Sequence, residues 1–168
     1  ETENLIGFFV NTLVLRNDFS GNPTFRELLA RVRETCLEAY SHQDLPFEKL
    51  VEELKPERNA SYSPLFQVMF TLADASTSAL ELAELRTEPL PVKSGTAKFD
   101  LTLLMTLAPD GLRALLEYNT DLFERPFIEG MAQHFQNLLA GIVGHPDGRL
   151  SELPLLTEAE RHRTLVEW

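Results

Sequence analysis

The stretch FDLTLLMTLAPDGLRALLEYN, residues 99–119, decides the class of fold. It contains two runs rich in leucine, separated by Ala108-Pro109-Asp110-Gly111. Proline, aspartate and glycine are the residues that tight turns favour. The pattern therefore predicts a β-hairpin with strands over residues 99–107 and 112–119.

Three more strands are predicted upstream of this hairpin. Residues 8–16 are apolar on both faces apart from Asn11, which is typical of a strand covered on both sides. Residues 82–90 have a weaker pattern and predict an edge strand. Residues 65–72 alternate between the two faces of a strand. One face would carry Phe66, Val68, Phe70 and Leu72, and the other Gln67, Met69 and Thr71.

Three helices are predicted where apolar residues recur at helical spacing. The first follows a capping box at Thr24–Glu27 and ends near residue 40. The second begins near Pro46 and is closed by Pro56. The third covers residues 126–143.

The predicted order of elements is β, α, α, β, β, β, β, α. Strands and helices that do not strictly alternate are typical of an α+β fold. We therefore expect a mixed β-sheet with helices packed on one side. A chain of 168 residues is expected to form one domain with a substantial core.

Composition excludes several classes of function. The chain has 15 basic and 26 acidic residues and a formal net charge of −11, so a nucleic-acid partner is not expected. Its one cysteine, Cys36, allows no internal disulfide, which is compatible with a reducing compartment. No apolar run approaches the ~20 residues of a membrane helix, and the N-terminus does not resemble a signal peptide. A cytoplasmic location without membrane contact is expected.

Three motifs occur in a fixed order. They are IGFFVNTLVLR at residues 6–16, HQDLPFE at 42–48 and RNASYSPLFQ at 58–67. Together they resemble the second half of a condensation domain of nonribosomal peptide synthetases. The third motif departs from the usual pattern, because Asn59 follows its arginine and Tyr62-Ser63 precede its proline.

The resemblance implies a chloramphenicol-acetyltransferase-like fold, in which two similar lobes form a V around a tunnel. Such domains join two carrier-bound acyl groups through an amide bond. The family's catalytic signature, HHxxxDG, precedes these motifs, and this chain contains no two adjacent histidines. Residues 1–150 are therefore expected to be the C-terminal lobe, which is inactive alone and supplies one wall of the tunnel. Residues 151–168 resemble the linker toward a following adenylation domain.

The resemblance also implies the partners. They are the N-terminal lobe of the same condensation domain, peptidyl carrier proteins and the adjacent adenylation domain. Substrates would arrive on the 4′-phosphopantetheine arms of carrier proteins, and no cofactor would be bound directly. The polar loop at residues 91–98 would cross to the other lobe as a latch.

The resemblance implies that Asn11, Thr12 and Gln67 line the substrate tunnel. Asn11 interrupts an apolar run, and its amide offers two donors and one acceptor. It would face the catalytic histidine of the other lobe, or it would satisfy the backbone of a neighbouring loop; both interpretations stay open. The remaining motif positions, expected to be mainly structural, are Gly7, Arg16, His42, Asp44, Arg58, Pro64 and Asp100.

The other histidines and the cysteine are interpreted as structural. Asp44 is expected to cap the second helix, and His42 to lie at the end of the first, where the helix dipole favours it. The histidines at positions 134, 145 and 162 have no second ligand nearby, so no metal site is expected. Cys36 lies on the apolar stripe of the first helix and is expected in the core.

Two other functions remain possible from the sequence. The chain could be the equivalent lobe of a stand-alone acyltransferase, although its linker-like end argues against this. It could also be a non-catalytic lobe that docks carrier or adenylation domains. The sequence immediately upstream would discriminate, because an intact HHxxxDG there indicates catalysis and a degenerate version indicates docking.

Overall fold

The computed structural model describes residues 5–7, 9–57, 63–74 and 95–167. They fall into two compact units, one formed by residues 1–58 and 134–168 and the other by residues 59–133. The helices are α1 (Phe25–Ser41), α2 (Phe47–Leu54), α3 (Arg125–Gly144) and α4 (Glu158–His162). The strands are β1 (Val68–Asp74), β2 (Leu101–Ala108) and β3 (Gly111–Tyr118).

The unit of residues 59–133 is built on a mixed sheet with the strand order β1-β2-β3. β1 and β2 are parallel, and β2 and β3 are antiparallel. Ala108 pairs with Gly111, so a two-residue turn closes the predicted hairpin. Gly111 has a φ of 134°, a conformation that glycine adopts readily because glycine has no Cβ. The predicted hairpin is confirmed, and the mixed sheet with helices is the predicted α+β class.

Apolar side chains hold this unit together. Met105, at the middle of the central strand, is buried, as is Ile128 in α3. The rings of Phe66 and Phe99, each just before a parallel strand, lie 5.3 Å apart.

In the other unit, α1 begins at the capping box that the sequence predicted. The Thr24 hydroxyl accepts a hydrogen bond from the Glu27 amide at 3.2 Å, and the Glu27 carboxylate accepts one from the Thr24 amide at 2.8 Å. That second bond is the main reason why the pKa of Glu27 is lowered. Leu28 and Pro23 are buried beside this helix start. The Thr24 hydroxyl and the Glu27 carboxylate together satisfy two of the amides that a helix start leaves unpaired.

The chain segment after α3 returns to the start of α1. The Leu150 amide donates to the Pro23 carbonyl at 3.1 Å, and the Ser151 amide donates to Asn22 Oδ1 at 3.1 Å. The Arg149 guanidinium donates to the Asn22 carbonyl at 3.0 Å. Asn22 itself has a φ of 47°, in the left-handed region that Asn tolerates better than most residues. A turn before α1 is thereby fixed by residues more than a hundred positions later.

Two expectations from the sequence fail or fall outside the described part. The strand predicted over residues 8–16 is wrong, because residues 9–19 have no regular secondary structure. A strand requires a neighbouring strand to pair with, and among the described residues 9–16 none pairs in this way. The edge strand predicted over residues 82–90 lies outside the described residues, as does part of the loop at 91–98.

The capping box of α4 predicts a pH dependence. Hydrogen bonds from the Thr157 amide and then its hydroxyl, followed by one from His134, lower the pKa of Glu160 to about 2. A lowered carboxyl pKa stabilises the fold above the ordinary value of 4.5 and loses that contribution as the pH falls toward 2. We expect Glu160→Gln to lower the free energy of unfolding at neutral pH, and the difference from wild type to vanish near pH 2.

Urea unfolding of both proteins across this pH range is the measurement. Glu158→Gln is the matched control, because it removes a charge from the same helix without removing a hydrogen bond to Thr157. A difference that stays constant down to pH 2 would contradict the role of the Glu160 carboxylate.

Candidate functional site

Asn11, the first candidate from the sequence, bonds to the loop between α1 and α2. Its Nδ2 donates to the carbonyl of Gln43 at 2.8 Å and to that of Leu45 at 2.6 Å. Its Oδ1 accepts from the amide of Thr12 at 2.9 Å and from that of Phe47 at 3.3 Å. Both donors and the acceptor of this amide are therefore in use. Asn11 thus satisfies the backbone of a neighbouring loop, and its place in the substrate tunnel stays a prediction.

The loop needs these bonds because of its own sequence. Pro46 is the N-cap of α2 and has no side chain that can accept a hydrogen bond from the first amides of the helix. Asn11 Oδ1 takes that place for Phe47 from a distant segment. The prediction that Asp44 caps α2 is wrong, because Asp44 lies in the turn at residues 42–44 and the cap position falls on Pro46.

His42 is the C-cap of α1, as its predicted place at the end of that helix requires. Its amide donates to the Ala39 carbonyl at 3.1 Å, and its Nδ1 lies 3.2 Å from Ser41 Oγ. His42 and Asp44 are both exposed, and no hydrogen bond between them is found in this part of the chain.

The third motif lies in the other unit. Gln67 Nε2 donates to the Ser63 carbonyl at 3.1 Å, and the Gln67 carbonyl accepts from the Leu101 amide at 3.3 Å. Pro64 is exposed between them in a bend. This motif therefore fixes the entry into β1 beside the start of β2. Arg58 lies outside the described residues.

The remaining motif residues have local contacts. A Cβ at Gly7 would lie 2.9 Å from the ring of Phe9. Arg16 is exposed and contributes to the lowered pKa of Asp18, whose largest cause is the hydrogen bond from the Ser20 amide. The Asp100 carbonyl accepts from the Asn119 amide at 3.0 Å and closes the base of the hairpin.

Comparison with known proteins decides the family. The profile of the condensation domain matches residues 1–165. This chain belongs to the condensation-domain family of nonribosomal peptide synthetases. The domain is 57% identical over the whole chain to a linear gramicidin synthase protein of Brevibacillus parabrevis, and 51% identical to the chondramide synthase of Chondromyces crocatus. It spans 3% and 4% of the length of those two proteins.

Solved structures agree with this assignment. The X-domain from teicoplanin biosynthesis is 34% identical, with a TM-score of 0.74 over 84% of this chain and 33% of that one. The four-domain nonribosomal peptide synthetase AB3403 is 26% identical, with a TM-score of 0.71 over 86% of this chain and 12% of that one. The condensation-domain fold expected from the motifs is thereby confirmed.

Both faces of β1 carry exposed side chains. Alternate residues of β1 share a face of the sheet, and Val68, Phe70 and Leu72 on that face are 58–64% exposed. The sequence placed Gln67, Met69 and Thr71 on the opposite face. In the structure Gln67 and Thr71 are exposed as well.

Three further properties concern metal ions, membranes and the cysteine. Within the described residues, no cluster of histidine, cysteine or acidic side chains could hold a metal ion. None of the helices described is long and apolar enough to cross a membrane. Cys36 is half-buried rather than fully in the core.

Sequence reasoning missed the partner of His134. Its Nε2 lies 3.0 Å from both carboxylate oxygens of Glu160, twenty-six positions later. The missed signal is the second capping box, Thr157 with Glu160, which has the same spacing as the one at the start of α1.

Asn11→Asp tests the hydrogen bonds of Asn11 to the loop between α1 and α2, which we call the clamp. The variant keeps an acceptor for the Phe47 amide but places a carboxylate against two carbonyl oxygens. We expect it to lower the free energy of unfolding by about 1 kcal/mol or more, and to accelerate amide exchange in the loop and the first turn of α2. Urea unfolding and hydrogen exchange measure the two effects.

Gln43→Ala is the matched control, because Gln43 contributes only its backbone carbonyl to the clamp. Equal exchange rates in Asn11→Asp and Gln43→Ala would show that the amide of Asn11 does not hold the loop.

Proposed function

We propose that this chain is the C-terminal lobe of a condensation domain that joins two carrier-bound acyl groups through an amide bond. The observation that carries the proposal is the family match over residues 1–165 in a chain without adjacent histidines. In this proposal the catalytic HHxxxDG lies in the preceding lobe. The C-terminal lobe supplies one wall of the tunnel.

The extent of the similarity supports a single lobe. The match with the X-domain covers 84% of this chain but only 33% of the X-domain chain. The open apolar face of β1 is also in keeping with a lobe that is covered by another part of a larger protein.

The proposed partners follow from this assignment. They are the N-terminal lobe, the carrier proteins that deliver substrates on phosphopantetheine arms, and an adenylation domain after residues 151–168. The whole assembly would work in the cytoplasm, without nucleic acid or membrane.

The division of labour between lobes can be tested directly. We expect this chain, mixed with two carrier proteins loaded with aminoacyl groups, to form no dipeptidyl product above the uncatalysed background. The same chain joined to the lobe that precedes it should form product, which mass spectrometry of the carrier-bound thioester would detect. Turnover by the isolated chain would overturn the half-enzyme assignment.

We propose that Asn11, Thr12 and Gln67 contribute to the tunnel wall in the intact domain. The amide of Asn11 is already bonded to the loop between α1 and α2, so in the intact domain it would shape the tunnel wall through that loop. Misplacement of a group in a reaction site can cost ~10²-fold in rate. We expect Asn11→Ala in the intact domain to lower the condensation rate per folded molecule by up to about that factor, in addition to destabilising the loop. If the rate per folded molecule stays at the wild-type value, Asn11 serves only as the clamp.

One observation favours a second function. A structural neighbour that is 33% identical, with a TM-score of 0.73, is an X-domain in complex with OxyB from teicoplanin biosynthesis. That X-domain assembles with another protein. The alternative proposal for this chain is a lobe that docks a partner domain without catalysis. It requires that the intact domain form no product while still binding carrier or adenylation domains.

A further inference from the structure

The segment after α3 folds back along that helix. Pro154 packs on Gly141, the Leu155 carbonyl accepts from Asn137 Nδ2 at 3.3 Å, and Glu160 contacts His134 at 3.0 Å. We call residues 153–162 the strap.

The three contacts on α3 are spaced as one helical face requires. His134, Asn137 and Gly141 lie at positions i, i+3 and i+7, which project from the same side of a helix. Their partners follow in the reverse order along the chain. The strap therefore runs antiparallel to the second half of α3.

Gly141 allows the closest of these contacts. A Cβ at this position would lie 2.5 Å from Pro154 Cδ and 2.6 Å from Pro154 Cγ, a distance that real side chains do not reach. Gly130, in the same helix, has nothing within 4 Å of an added Cβ. Glycine inside a helix lowers its stability relative to alanine. At position 141 the missing side chain leaves the space that Pro154 occupies.

The far end of the strap is held by a hydrogen bond between His134 and Glu160 that water reaches only in part. The side chains of His134 and Glu160 are 26% and 37% exposed, whereas those of the surface pair Arg125 and Glu129 are 81% and 62% exposed. The Thr157 amide and hydroxyl donate to the same carboxylate, each at 2.8 Å, and fix its orientation toward His134.

The near end is fixed as well. Residues 146–152 bond to the start of α1 through backbone bonds such as Leu150 to Pro23, and Arg26 pairs with Asp147 at 2.8 Å. The strap thus starts from an anchored turn and ends at the His134–Glu160 pair.

We propose that α3 is a docking surface for the strap, and that this docking fixes the direction in which the chain leaves the lobe. The segment is a structural part of the lobe rather than a free linker. That the next element is an adenylation domain rests on the proposed function; the docking itself does not.

Hydrogen exchange of the 168-residue chain tests the docking. The reporters are the amides of Glu160 and Arg161, which donate to the Thr157 hydroxyl and carbonyl. We expect Gly141→Ala to accelerate their exchange about tenfold or more, because the added methyl displaces Pro154. Gly130→Ala, the matched control, is expected to leave them within about twofold of wild type.

A second pair of variants guards against loss of the fold. His134→Ala removes the pair with Glu160, and His134→Gln restores a nitrogen donor near the position of Nε2. We expect fast exchange in the first and slower exchange in the second, with α1 amides unchanged in both. If the exchange of α1 amides also accelerates in Gly141→Ala, that variant has lost its fold. The comparison of His134→Ala with His134→Gln then tests the docking.

Three results would overturn the proposal. The first is strap exchange in the wild-type chain at the rate of an unstructured peptide. The second is equal acceleration by Gly141→Ala and Gly130→Ala, and the third is no difference between His134→Ala and wild type. None of these outcomes bears on condensation, so the proposed function stands or fails separately in the assay with carrier proteins.

Discussion

Backbone groups at turns and helix ends must find hydrogen-bond partners, and in this chain the partners come from distant segments. Asn11 supplies them to the loop between α1 and α2, and Asn22 supplies them to the turn after α3. An isolated helix end has several unpaired amides or carbonyls. Here a short polar side chain placed in a segment without regular structure satisfies them. The helices of residues 1–58 therefore depend on segments that have no secondary structure of their own.

Local patterns in the sequence predicted much of this fold. The hairpin, the three long helices and the capping box at Thr24 were found because each depends on residues close together in the chain. The strand over residues 8–16 was not correct, because strand formation depends on a neighbour that no local pattern describes. The motifs predicted the family, since their order and spacing are specific even where individual contacts are not.

The candidate site was predicted less completely. The sequence singled out Asn11 because it interrupts an apolar run, but it left open whether a loop or a substrate is its partner; in the structure Asn11 is exposed and bonds to the loop. The cap of α2 was misassigned to Asp44, because a distant amide can replace a local cap and only the folded chain reveals it. The pair of His134 and Glu160 joins residues from two separate helices; the capping box at Thr157 predicts the start of α4 and the place of Glu160, but not that His134 is its partner.

Gly141 restricts how members of this family can be recombined. A chimeric synthetase whose junction lies between α3 and Pro154 would combine the helix of one parent with the strap of another. If the first parent has any side chain at position 141, it would collide with a proline such as Pro154. Junctions that keep residues 134–162 in one piece preserve both sides of the contact, so the interchangeable unit ends after α4 rather than at the end of α3.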